Sequence, residues 1–481
     1  MTLPVSDGVL VVVKRDCDTC HLVLPVLSQL DDTVGVTVVC QDDPEWPTAP
    51  TPIDDTELDI SWELQTDTTP TVYRVEDGEV VAFAAGWHRE RWEAVTGVSG
   101  LGPSLPPHRP GCGSRVFEPG VHESLVRRHS LSRLVSRRIE LGSEEDEFEA
   151  MFARGWADGL PLVPPTETRV ERMLSGTGRA PDEVVCLMPP DLVPCTVEKV
   201  AVNAVMAGCR PEYLPVVLAA VEAAATDAFN IHGLAATTYF SGPIVIVNGP
   251  IARRIGMNSG INALGPGNRA NATIGRALNL VVRNVGGSVP GGVDRAALGS
   301  PGKLTFCFAE DEHGSPWEAL SVERGYPPEA STVTLFAGHG PHEIVDQLSR
   351  SAGSLAGSFA AQLRSVAHTK LALNYDAIVV VSPEHARVFA EAGWSKARLR
   401  QEVLDRLLTP GSELVRGAHG IAEGIPASLA EGDVPKFRPD GLWFVHAGGP
   451  AGLFSGILGG WARTGSEITT IAIADEPRST T

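Results

Sequence analysis

The residues best suited to chemistry in this chain are Cys17-Asp18-Thr19-Cys20, which follow the apolar run Gly8-Val9-Leu10-Val11-Val12-Val13. Two thiols at this spacing lie one turn apart if the segment opens a helix, and a strand-to-helix turn is where a thiolate is stabilised and presented. The unpaired backbone donors of the first turn favour the thiolate of Cys17, and Cys20 can then displace a mixed disulfide. Nearby charges act both ways, Asp16 and Asp18 against the thiolate, Lys14 and Arg15 for it. Cys17 to His21 also spells the haem-attachment pattern, but a strand-flanked site suits covalent haem poorly, and zinc would need further ligands nearby. Thiol–disulfide exchange is therefore the expected chemistry, with no cofactor. Cys112, in the flexible stretch Gly111-Cys112-Gly113-Ser114-Arg115, is expected to act as a relay thiol for Cys17.

A second set of candidates lies in loops after an apolar strand: Asn248, Asn258, Asn262, Arg269 and Asn271, interleaved with glycines. Asparagine offers donors and acceptors together, glycine lets backbone approach a ligand, and Arg269 at a helix start could grip a carboxylate or phosphate. His232 and Glu310 are candidates for proton transfer near strand ends. Gly448 and Gly449 follow another strand and lead into helix-like Leu453 to Ile457, a context for anion binding, though the glycine spacing is not the dinucleotide fingerprint. Cys195 and Cys209 stand at opposite ends of one helix, poorly placed for a disulfide or a metal pair.

The elements that must position these groups read as alternating α/β. Residues 8–13 and 34–40 are expected strands around a helix at 20–30; Thr71–Val75 and Glu79–Phe83 flank Glu76-Asp77-Gly78 as a hairpin, and a short helix spans Arg89–Val95. Residues 99–120 are rich in Gly and Pro and read as a linker. A basic helix follows, with Arg127, Arg128, Arg133, Arg137 and Arg138, running into Glu144-Glu145-Asp146-Glu147 as a charge-complementary pair. Beyond it come helices at 197–206, 213–224 and 271–282, strands at 242–247, 303–309 and 332–336, a helix at 342–349, a strand at 377–381, a helix at 384–392, and strands at 442–446 and 468–473. Pro243–Pro250 parallels Ala377–Glu384, and Gly302–Phe306 parallels Asp440–Phe444, a weak internal repeat suggesting two related halves.

At 481 residues the chain is expected to form more than one domain: 1–98, a linker with the basic helix at 99–143, an α/β domain at 144–325, and a second domain or half at 326–481. A net charge of −20 argues against general nucleic-acid or anionic-membrane binding. No apolar run reaches membrane-spanning length, the opening residues lack the order of a secretory signal, and eight cysteines are too few for a disulfide scaffold of this size. A cytoplasmic homo-oligomer with mostly free thiols is expected.

With Cys17 and Cys20, Pro25 in the following helix and Thr69-Pro70 downstream, the first hundred residues resemble the thioredoxin-fold family. The resemblance implies Cys17 as nucleophile, Cys20 as resolving thiol, and Thr69-Pro70 as a cis-proline loop shaping the groove that receives a partner. Asp16 stands where that family usually carries an aromatic, and Val11 where it buries a carboxylate. From about residue 145 the chain resembles a largely uncharacterised bacterial α/β family with the turn Asp158-Gly159-Leu160-Pro161; the resemblance points loosely to a thiol or selenol partner protein. The resulting expectation is a thiol-dependent oxidoreductase acting on a sulfur-bearing intermediate of a small polar substrate. The alternatives are a lyase or hydratase using His232 and Glu310, with a metal ion in one version, and a non-catalytic redox-partner assembly protein.

Overall fold

In the computed structural model the described residues are 4–118, 121, 125, 128, 134, 136, 138–142, 145–462 and 465–473. They form two compact units, Met1–Ser132 and Arg133–Thr481, each a mixture of helices and sheets. No helix among the described residues is long and apolar enough to cross a membrane.

The first unit is built on β1 (Gly8–Val13), whose unbroken apolar run suits a strand covered on both faces. It pairs in parallel with β2 (Val36–Cys40) and antiparallel with β5 (Thr71–Glu76), so that Val11 lies between Val38 and Val72. Short β3 (Ile53–Asp54), which helix α2 (Asp59–Glu63) follows, and β6 (Glu79–Ala85) complete the order β3-β2-β1-β5-β6. Asp77 and Gly78 take positive φ values of 52° and 81°, the geometry a two-residue hairpin needs. Helix α1 (Asp18–Val34) buries Val23, Val26, Leu27 and Leu30, the i, i+3, i+4, i+7 stripe, against Val9, Val11 and Val13.

Residues 99–118 are not a linker; they belong to the first unit. After β7 (Trp87–His88) and helix α3 (Arg89–Thr96), strand β8 (His108–Arg109) returns to pair with β7, and β9 (Cys112–Gly113) pairs with β4 (Thr68–Thr69). The folding-back is driven by side chains that need carbonyls: Trp87 Nε1 donates to Pro106 O, and the Arg89 guanidinium donates to the carbonyls of Leu101, Gly102 and Leu105. The expected basic helix falls largely outside the described residues, as do Arg127, Arg133, Arg137 and Glu144. Of the rest, Arg128 bonds Glu57 and Asp59, and Arg138 bonds Glu167.

The second unit opens with helices α4 (Glu147–Ala153) and α5 (Glu167–Leu174), a hairpin of β10 (Val184–Met188) and β11 (Val193–Thr196), then α6 (Val197–Ala207), α7 (Leu214–Ala224) and α8 (Ile231–Ala236). Its sheet comes from both expected halves. Strand β12 (Gly242–Asn248) is followed by α9 (Pro250–Arg254), α10 (Arg269–Asn284), β13 (Cys307–Ala309), α11 (Leu320–Glu323) and β14 (Thr332–Val345). After α12 (Ala352–Leu363), β15 (Tyr375–Val381) leads through α13 (Pro383–Glu391), α14 (Lys396–Arg406) and short strands β16 (Leu408–Pro410) and β17 (Asp433–Pro435) to β18 (Leu442–His446), β19 (Phe454–Ala462) and β20 (Thr469–Ala472).

The order is β13-β12-β14-β19-β15-β18, with β20 also on β14, so residue 325 does not separate two sheets. The connectivity repeats: β12 pairs in parallel with β13 and antiparallel with β14, as β15 does with β18 and β19. Alternate residues from all six of these strands, among them Ile246, Phe308, Phe336, Val380, Val445 and Leu458, form one apolar cluster. The opposite face of β12, β13 and the first part of β14 packs under α6, α7 and α10, and that of β15 and β18 under α12, α13 and α14. Two expectations fail here. Residues 342–345 continue strand β14, because His342 and Ile344 register with Ile457 and Ser455, and residues 454–457 open a strand instead of a helix.

Candidate functional site

Cys17 is the N-cap of α1, with extended backbone (φ −154°) and its sulfur accepting from Cys20 N at 3.4 Å. As a neutral thiol it reaches Thr69 O at 3.4 Å, across a Thr69–Pro70 peptide that is cis. The hydrogen bond from the Cys20 thiol holds Cys17 far below an ordinary thiol, at about 5, against the burial that pushes it up; Cys112 and the backbone N–H groups of Cys20 and Thr19 add to the lowering. Local donors, more than the flanking charges of Asp16 and Asp18, set this thiolate. Burial first, and then Cys17 itself, push Cys20 strongly up, so it stays protonated as the donor. Cys17 and Cys20 are 4% and 0% exposed, whereas Cys112 is half-buried, the most open thiol of the three.

Cys112 arrives here because β9 pairs with β4, placing it in register with Thr69, directly before the cis-proline. Residues 110 and 111 come close enough only because position 111 is glycine: a Cβ there would lie 2.3 Å from Thr68 Cγ2 and 2.6 Å from Thr69 O. Thr19 Oγ1 donates to Pro110 O at 2.7 Å, tying the segment to the first turn of α1, and Arg109 meets Asp18 at 3.2 Å. Burial, then its hydrogen bond to Cys17 and the charge there, raise the Cys112 thiol. Sequence and structure therefore bring together Cys17, Cys20, Thr69, Pro70 and Cys112.

In the second unit Asn248 and Glu310 meet at the ends of β12 and β13. Asn248 Nδ2 donates to Glu310 Oε2 at 2.7 Å and to Glu312 Oε1 at 2.9 Å, and Leu320 N donates to Glu310 Oε2 at 2.7 Å. Burial raises the Glu310 carboxyl, opposed chiefly by Lys396, whose Nζ lies 4.0 Å from Glu310 Oε1 and 3.4 Å from Glu323 Oε2. His446, at the end of β18, points Nδ1 at Asp311 O, 3.1 Å away. Glu310 Oε1, Asn248 Oδ1 and His446 Nε2 are buried with no hydrogen-bond partner among the described residues. Lys396 and His446 were missed in the sequence; Ser395, which caps α14 by accepting from Arg398 N, is the signal that could have revealed that helix.

His232 does not join Glu310. It is exposed in the first turn of α8, whose Ile231, Leu234 and Ala235 line a cavity of about 330 Å3 with Gly242 and Pro243, at the start of β12. Glu310 sits at the far end of that strand, roughly 20 Å away at ~3.3 Å per residue. The asparagines serve their own loop. Asn271 bridges Asn258 N and O and reaches Ala263 O, Asn262 donates to Pro266 O, and Arg269 Nε donates to Gly208 O. Gly448 N donates to Ser259 O and Gly449 packs on Ile261, so these glycines buttress the same loop and lead into β19. Asp158 of the Asp-Gly-Leu-Pro turn holds Arg276 at 2.7 and 2.8 Å; burial opposes, but that pairing keeps its carboxyl below the usual value. Among the described residues, no cluster of His, Cys, Asp and Glu could hold a metal ion.

No protein-family model, curated protein or solved structure matches the chain.

Proposed function

We propose that the first unit is a thioredoxin-like thiol–disulfide exchange module and the chain a thiol-dependent oxidoreductase acting on a sulfur-bearing intermediate of a small polar substrate. The observation that carries this reading is the convergence of three thiols at one helix start, with Cys17 held as a thiolate by donors from the other two. Cys17 is the nucleophile, Cys20 the buried resolving thiol, and Cys112 the relay thiol that meets the outside. Exchange runs through a mixed disulfide: the Cys17 thiolate attacks one sulfur of the partner disulfide and releases the other as a thiolate, which takes the proton of Cys20 or Cys112; that thiolate then attacks Cys17 Sγ, closes an internal disulfide and releases the partner's second sulfur. Because β9 already pairs with β4, the chain's own residue 112 sits beside the cis-proline, where the family resemblance seats a partner. The lyase reading loses its acid–base pair, since His232 and Glu310 lie at opposite ends of β12.

The test is disulfide mapping after limited oxidation of wild-type protein and of Cys17→Ser, Cys20→Ser and Cys112→Ser, alongside turnover of a small disulfide. A Cys17–Cys112 or Cys17–Cys20 linkage in wild type, with turnover abolished by Cys17→Ser, supports the reading. Full turnover in Cys17→Ser refutes it.

A further inference from the structure

Five cysteines carried no role above, Cys40, Cys186, Cys195, Cys209 and Cys307, and two of them, Cys186 and Cys195, face each other. They are direct partners in the antiparallel pairing of β10 with β11, either side of the Pro189-Pro190-Asp191 turn, and both are free. Opposed residues of an antiparallel pair have Cα atoms about 4.5 or 5.5 Å apart, depending on whether they exchange hydrogen bonds. Both values fall inside the ~4.4–6.8 Å window that a disulfide requires. The pairing register therefore sets the two cysteines at a Cα spacing that a disulfide can span, next to a register irregularity between Val184 and Cys186.

Their surroundings differ in the way an attacking and a resolving thiol must differ. Cys195 is fully buried in the last strand positions before Thr196 caps α6. Cys186 is half-buried on a hairpin whose other face is open, with Val184 and Leu187 52% and 54% exposed. The Cys195 thiol, hydrogen-bonded to Cys186, holds Cys186 below the ordinary thiol value against its burial, while that bond and then burial push Cys195 up. Glu222 opposes the Cys186 thiolate, and Arg179, 2.6 Å from Glu222, offsets that charge. The other thiol pair of this unit, Cys209 and Cys307, lacks the asymmetry: both are buried and both are raised, chiefly by burial.

From this geometry we infer that Cys186 and Cys195 form a second redox couple of the chain, oxidised by thiol–disulfide exchange with low-molecular-weight disulfides. The Cys186 thiolate attacks one sulfur of the small disulfide RSSR, forming a Cys186–SR bond and releasing RS−. That RS− takes the Cys195 proton to become RSH. The Cys195 thiolate then attacks the Cys186 sulfur, forms the Cys186–Cys195 bond and expels the second RS−. Two cysteines are oxidised, and the small disulfide is reduced to one thiol and one thiolate. The inference does not depend on the exchange proposed for the first unit.

The experiment is equilibration of full-length protein in oxidised and reduced glutathione over a range of ratios, with peptide mass mapping, for wild type and for Cys17→Ser/Cys20→Ser/Cys112→Ser. The expected result in both is a linked 186–195 peptide that appears as the ratio becomes oxidising and disappears with dithiothreitol. Cys195→Ser should instead trap glutathione on Cys186. Wild type that stays folded at the most oxidising ratio with both thiols reduced, or that carries glutathione on Cys186 without linkage to Cys195, overturns the inference. Loss of the linkage in the triple variant while it remains folded overturns the independence of the couple. Should the triple variant not fold, mapping of wild type decides the couple alone.

Discussion

The sharpest consequence of the thiol cluster concerns the pH dependence of Cys17 alkylation. At a pKa of about 5, Cys17 is about 99% thiolate at pH 7, against about 1% for a thiol near 9. The roughly hundredfold gain is nearly cancelled, because intrinsic nucleophilicity falls with pKa at a Brønsted slope of about 0.45, a loss of roughly sixtyfold over four units. Near pH 7 Cys17 should thus react scarcely faster than an ordinary exposed thiol, and its burial slows it further. The discriminating range is acid. At pH 5 the thiolate fraction is about one half against about one in ten thousand, so the net advantage grows to roughly eightyfold before the constant penalty of burial.

The assay is a series of short iodoacetamide pulses on reduced protein between pH 4 and 9, with each cysteine quantified by peptide mass spectrometry. Burial scales the Cys17 rate by one factor at every pH, so the midpoint can be read regardless: a plateau down to about pH 6 and half the plateau near 5. Cys112, whose pKa is raised, should lose about tenfold per unit across the same range. In Cys20→Ala the strongest donor to Cys17 is gone and the midpoint should rise. The thiolate also contributes to stability with a definite sign. A folded-state pKa depressed from about 9 to about 5 stabilises reduced protein above pH 9, and the contribution is lost as pH falls to 5; the melting difference between wild type and Cys17→Ser should shrink in that direction. A Cys17 rate that falls tenfold per unit between pH 8 and 6 would refute the reasoning.

Three further outcomes follow from the contacts. Gly111→Ala should push β9 away from Thr68 and Thr69 and raise the Cys17 alkylation midpoint toward that of Cys112→Ala, since both remove the same donor. Asp158→Ala leaves the largely buried Arg276 without its carboxylate and should cost about 3 kcal/mol or more of second-unit stability in denaturant titration, with Asp158→Asn intermediate. Glu310→Gln keeps an acceptor for Asn248 and Leu320 N at a site where burial already disfavours the charge, so it should be destabilising by clearly less than Glu310→Ala in the same titration.

What could be read from sequence was local. The dithiol at a strand-to-helix turn, the Asp77-Gly78 hairpin and most strands and helices carry their own signals in period and turn chemistry. Residues 99–118 did not, because Gly and Pro composition describes backbone freedom but says nothing of the distant Trp87 and Arg89 side chains that use this stretch as a bank of carbonyl acceptors. Strand β14 was cut short for the same reason: Gly340 and Pro341 look like an end, yet they fall where the β14–β19 register shifts, and pairing resumes beyond it. Asn258, Asn262 and Asn271 share the composition of a ligand loop, and only their hydrogen bonds in the fold show that their polar groups are spent on the loop's own backbone. Cys186 and Cys195 were within reach of sequence reading, as alternating positions flanking a Pro-Pro-Asp turn, had the two short runs been paired as a hairpin.

The covering of the dithiol bears on how the proposed exchange would begin. With β9 on β4, an outside peptide cannot pair with Thr69 until residues 108–113 lift. What holds them is modest: the Thr19 bond to Pro110, one exposed ion pair between Arg109 and Asp18, and two short strand pairings. At about 1 kcal/mol per hydrogen bond and about 0–1 for an exposed ion pair, release of the segment should cost only a few kcal/mol, so it opens without global unfolding. A Cys17–Cys112 disulfide would bolt it shut, and a Cys17–Cys20 disulfide would remove the thiolate that Cys112 faces. Amide exchange across residues 108–113 should therefore be fastest in Cys112→Ser oxidised at Cys17–Cys20, slower in reduced wild type, and slowest with Cys17 linked to Cys112. Equal exchange in all three states would mean that the segment is fixed scaffold and that access to Cys17 arises elsewhere.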